Sequence, residues 1–80
     1  MTNVTALKAK IDESGYKLRF LSKQLDLSYQ AFFNKVNGVS DFKTEEAGKL
    51  MTILHMTPEE AVRIFFDADV GNEPTNEAER

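Results

Sequence analysis

The stretch Leu18-Arg-Phe-Leu-Ser-Lys-Gln-Leu-Asp-Leu-Ser-Tyr-Gln-Ala-Phe-Phe-Asn-Lys-Val-Asn-Gly38 decides how this chain folds. Leu18, Leu21 and Leu25 recur at helical spacing, with the small Ser22 beside them. That helix, starting from about Lys17, breaks at Asp26-Leu27-Ser28. Asp26 tolerates the positive φ that such a tight turn demands, although glycine would cost less. Ser28 is a good N-cap for a following helix that buries Phe32 and Val36. Asn37-Gly38 closes it, Gly38 suiting the left-handed conformation that ends a helix. A small residue where two helices cross, a short turn, an apolar turn residue and a cap make one packed supersecondary unit.

Working outward, Val4, Leu7 and Ile11 predict a helix before this unit, capped by Asn3 or Thr5 and stopped at Ser14-Gly15. After it, the connector Val39-Ser40-Asp41-Phe42 leads to Thr44, which is placed to cap a fourth helix. Ala47, Leu50, Met51 and Leu54 give that helix its apolar stripe. Thr57-Pro58-Glu59-Glu60 is a capping box with proline at the first helical position, and Met56 is set to staple onto Ala61. Ala61, Val62 and Phe65 should face inward. From Asp67 to Arg80 the chain is acidic and nearly free of large apolar groups, which predicts a disordered tail. The expected architecture is an all-α, compact bundle of five short helices, with one domain over 1–66 and a flexible acidic tail over 67–80.

Composition narrows the function. Eighty residues without cysteine exclude a disulfide framework, and one histidine, His55, builds no zinc site alone; His55 is expected to satisfy helix-end carbonyls. No apolar run approaches the roughly 20 residues of a membrane span, and no signal-peptide pattern opens the chain, so a cytoplasmic protein is expected. Glu45-Glu46 and Glu59-Glu60 fall in first helical turns, where negative charge meets the helix dipole. They therefore do not suggest acid–base catalysis; no phosphate-binding glycine loop is present, and neither an enzyme nor a metal or other cofactor is expected.

The net charge of −3 hides an asymmetry. Residues 1–43 hold seven Lys and Arg against four Asp and Glu, whereas residues 44–80 hold three against nine. One half of the chain suits a polyanion and the other avoids it.

The Leu18–Gly38 segment resembles the helix-turn-helix of lambda-repressor-like (Cro/XRE-type) DNA-binding domains of bacteria and phages. The Ser40-Asp41-Phe42 connector and the two helices after it extend the likeness over roughly residues 4–66, most like the small phage-type members. The resemblance implies a homodimeric transcriptional regulator, a repressor in the usual case, that reads a double-stranded DNA operator. Carried over by position, Tyr29, Gln30, Phe33 and Asn34 of the third helix would meet base edges in the major groove. Asn37 resembles a phosphate-contacting position, with Lys17, Arg19, Ser28, Lys35 and Lys43 as further phosphate neighbours. Glutamine and asparagine amides suit adenine, and an aromatic edge suits a thymine methyl.

This chain departs from the family at Lys17-Leu18, where Gln or Thr is common; Leu18 cannot touch phosphate. Lys35 also stands where an apolar residue is usual, so a slight rotation of the third helix would exchange which of Phe32 and Phe33 is buried. Lys8 and Lys10 read as solvated lysines. Phe20 has no evident inward partner, and Ile64-Phe65-Phe66 serves either the core or a dimer contact. The other function class to weigh is a protein-interaction module on the same fold, an antitoxin-like or anti-repressor partner; no small-molecule ligand and no membrane is implied.

Overall fold

A computed structural model describes residues 2–66; the acidic segment 67–80 lies outside the described residues. Five helices follow in order: α1 Val4–Ser14, α2 Leu18–Gln24, α3 Tyr29–Val36, α4 Thr44–Ile53 and α5 Pro58–Phe65, with no strand among the described residues. All five contribute to a single core built on Leu7, Leu21, Phe32, Leu50 and Ile64.

The starts of the helices follow from local chemistry. Asn3 caps α1 by accepting the Ala6 N–H at 3.0 Å, and Ser28 caps α3 by accepting the Ala31 N–H at 3.1 Å. At α5 the Thr57 hydroxyl takes the Glu60 N–H at 3.1 Å, while the Glu60 carboxylate takes the Thr57 N–H at 2.9 Å. The start of α4 corrects the expectation: Lys43, not Thr44, is the N-cap residue. Glu46, three residues into the helix, supplies the carboxylate half of a capping box, accepting the Lys43 N–H at 2.8 Å, while the lysine side chain makes no capping bond.

Three helices close in the same way, with paired hydrogen bonds that place one residue at positive φ. After α3 that residue is Gly38, whose N–H reaches the Lys35 carbonyl while Val39 N–H reaches Asn34. After α2 it is Asp26 (φ 59°), with Leu27 N–H on the Ser22 carbonyl at 2.9 Å. After α4 it is His55 (φ 54°), with Met56 N–H on the Met51 carbonyl at 2.9 Å. The His55 backbone, rather than its imidazole, carries this closure.

Two packing details differ from the sequence expectation. In α5 Val62 is 44% exposed, whereas Ile64 is 3% exposed. Ala61, Ile64 and Phe65 share one arc, and a single step of about 100° along the helix turns Val62 out of it. The connector also contributes to the core. Phe42 meets Phe32 edge-on at 6.0 Å and Phe65 edge-on at 5.7 Å, so one loop ring joins α3 to α5. Ile64 and Phe65 are buried but Phe66 lies outside. A backbone bond from Asn3 N–H to the Ile64 carbonyl, 2.6 Å, ties the start of α1 to the end of α5.

Candidate nucleic-acid interface

The α2–turn–α3 unit is held by a few small requirements, all met locally. Ser22 is buried, and its hydroxyl donates to the Arg19 carbonyl at 2.8 Å, so the small residue also satisfies its own polar atom. Leu25 and Leu27 on either side of Asp26 pack on the core and pin the turn.

The phase of α3 is settled by burial. Phe32 is 0% exposed and Phe33 41% exposed, so the helix turns Phe32 and Val36 inward and presents Tyr29, Gln30 and Phe33 outward. Asn34 is half-buried. The outward residues are organised. The Tyr29 and Phe33 rings stack at 6.1 Å, and the Arg19 guanidinium from α2 lies 5.0 Å from the Tyr29 ring centre. Gln30 Nε2 donates to Asn34 Oδ1 at 3.0 Å. All four base-facing candidates thus occur on one helix, in two interacting pairs.

The phosphate candidates divide. Lys17, Arg19, Ser28 and Lys43 are exposed. Arg19 is partly engaged by Tyr29, and the Ser28 oxygen accepts the Ala31 N–H, leaving its hydroxyl proton to donate. Lys35 does not stand beside them as a free cation. Its ammonium is 2.6 Å from the Glu46 carboxylate, and the two side chains are only 12% and 11% exposed. The expectation of a free Lys35 fails because the connector returns the chain so that Glu46, eleven residues on in the first turn of α4, reaches the Lys35 ammonium. Asn37 is also committed: its Nδ2 donates to the Phe33 carbonyl at 2.8 Å, closing its own helix. Lys23, exposed on α2, is a further cation the sequence reading passed over.

Glu46 is electrostatically strained in two directions. Burial pushes its carboxyl upward, but the Lys35 ammonium and the Lys43 N–H together hold it below the ordinary carboxylate value. Glu60 is likewise held low, first by the Thr57 N–H and then by Lys10, 3.0 Å away. Lys10 is therefore not a solvated lysine: it pairs with Glu60 and approaches Glu13 at 3.7 Å, and the Glu60 bond raises its own value.

A second aromatic pair escaped the sequence reading. Tyr16, just before α2, stacks on Phe20 at 5.0 Å, and both rings are exposed. The four-residue spacing of Tyr16 and Phe20 repeats that of Tyr29 and Phe33, which is the signal that would have found it. Among the described residues no cluster of three or more His, Asp and Glu is placed to hold a metal, and no helix is long and apolar enough to cross a membrane. Comparisons with protein-family models, with curated proteins and with solved structures find no match to this chain.

Proposed function

We propose that this protein reads duplex DNA as a small bacterial or phage transcriptional regulator, with the lambda-repressor-like helix-turn-helix arrangement and α3 in the major groove. The observation that carries the reading is the outward face of α3. The Gln30 amide and two aromatic rings face away from the core, the half-buried Asn34 amide is bonded to Gln30, and Asp26 closes the turn of the two-helix unit at positive φ. Amides and ring edges are the chemistry that discriminates base edges, and the exposed Lys17, Arg19, Lys23 and Lys43 supply cations for phosphate. The acidic residues of the C-terminal half fall largely in first turns of α4 and α5 and beyond Phe66, away from this segment of sequence.

The protein acts as a homodimer in this reading, placing two copies of α3 about 34 Å apart on successive turns of the groove. The test is selection from a random pool of short duplexes with purified protein at low salt. Enrichment of a two-fold symmetric site supports a sequence-reading dimer. Failure to retain any duplex overturns the proposal and favours the second reading, a protein-interaction module on the same helices. The exposed Tyr16–Phe20 stack is the observation that favours that alternative, since base readout gives it no role.

A further inference from the structure

The Gln30–Asn34 bond does more than join two neighbours on a helix. A primary amide carries one acceptor oxygen and two N–H donors on a single nitrogen. Gln30 is exposed and spends one of those donors on Asn34 Oδ1, one turn further along α3. What remains on its amide is an acceptor oxygen beside one N–H. An unheld glutamine can turn its whole NH2 group toward two acceptors at once; a glutamine held by Asn34 has only one hydrogen left to give.

The bases in a major groove answer this difference. Adenine shows an acceptor, N7, beside a donor, the N6 amino group, and so complements an oxygen beside an N–H. Guanine shows two acceptors, N7 and O6, and would set O6 against the Gln30 oxygen. We propose that Asn34 is a positioning residue which, by holding Gln30 Nε2, restricts Gln30 to adenine and against guanine. The proposal rests on the duplex-reading function above and reassigns Asn34: its side chain acts through Gln30 rather than on a base of its own. The Asn34 backbone carbonyl, which accepts the Val39 N–H at 2.8 Å, is independent of the side chain, so changing the amide leaves the closure of α3 in place.

The experiment is the duplex selection run side by side with the full chain and its Gln30→Ala, Asn34→Ala and Asn34→Asp variants, each checked for unchanged helix content. The position in the half-site that loses its preference in Gln30→Ala is the one Gln30 reads. There the native chain should favour adenine over guanine by about tenfold or more, one good bidentate contact's worth. Asn34→Ala removes one restraining hydrogen bond, so it should cut that ratio by about threefold or more and leave the other positions as they were. Asn34→Asp keeps the acceptor oxygen, so it should keep the adenine preference while weakening binding to every sequence through charge repulsion. Guanine at the Gln30 position, a full adenine preference in Asn34→Ala, or an equal loss at all positions each overturns the role given to Asn34 while leaving duplex reading intact. No enrichment by the native chain overturns both.

Discussion

Lys35 near the end of α3 and Glu46 in the first turn of α4 meet at 2.6 Å with both side chains almost buried. The same carboxylate oxygen of Glu46 accepts the Lys43 N–H, so one atom fastens α3, starts α4 and neutralises a buried cation. Removing the anion strands the cation, which is costlier than losing one surface pair.

Glu46→Ala should therefore cost about 2–3 kcal/mol in urea unfolding, whereas Lys35→Met, which keeps the apolar stem and leaves Glu46 its Lys43 bond, should cost less. Stability should also fall in acid. Glu46 and Glu60 are both held below the ordinary carboxylate value in the fold, so the unfolded chain binds protons more readily. Their contribution is fully present above the ordinary carboxylate range and is lost as pH drops through the lowered values. Urea midpoints measured from neutral to acid pH should trace that fall, and Glu46→Gln should flatten part of it. Equal slopes for the two proteins would contradict this account of Glu46.

The helix-closing positions differ in what a side chain would meet. Gly15 and Gly38 both have φ 79°, but a Cβ on Gly38 would lie 3.0 Å from Val4 Cγ2, while one on Gly15 would meet nothing within 4 Å. Gly15→Ala should cost about 1 kcal/mol from conformation alone, and Gly38→Ala more than that. The reverse change at His55 relieves the same conformational cost: His55→Gly should raise stability by about 0.5–1 kcal/mol. Thermal unfolding of the three variants ranks them, and equal losses for the two glycines would remove the Val4 contact from the account.

Two aromatic positions, one between helices and one on the outer face of α3, should separate stability from function. Phe42→Ala removes the ring between Phe32 and Phe65 and should destabilise by about 2–4 kcal/mol, less than a fully enclosed phenylalanine because Phe42 is half-buried. Phe33→Ala, on an exposed ring, should change stability by less than about 1 kcal/mol. Under the proposed function Phe33→Ala should nevertheless impair site selection. Denaturant unfolding beside duplex binding resolves the two effects.

Charge changes should separate positioning from readout. Lys17→Ala should weaken binding to all duplexes alike and lower the salt slope by about one. Lys35→Ala should leave that slope unchanged, because its ammonium is already spent on Glu46. A loss of slope with Lys35→Ala and none with Lys17→Ala would invert the assignment of phosphate contacts. Titrating binding against salt for both variants gives the answer.

Features governed by neighbours in sequence were legible in the sequence itself. The caps at Ser28 and Thr57, a cap at Asn3 or Thr5, the buried Leu7, Leu21 and Leu50, and the order of five helices all follow from local hydrogen bonding and helical periodicity. The outward pair Tyr29 and Phe33 lay within reach too, but periodicity alone left it open to a one-residue rotation. Burial of the adjacent Phe32 closed that choice.

What the tertiary structure alone decided involves partners remote in sequence. Nothing local says that Glu46 turns back to Lys35, that Glu60 reaches Lys10, or that the connector's Phe42 lodges between α3 and α5. Each depends on where one helix lands against another, and that is set by the summed packing of the core. The sequence determined which residues seek water, apolar cover or a cap. Packing decided which charges were left free, because a buried cation is tolerable only beside the anion that the fold delivers to it.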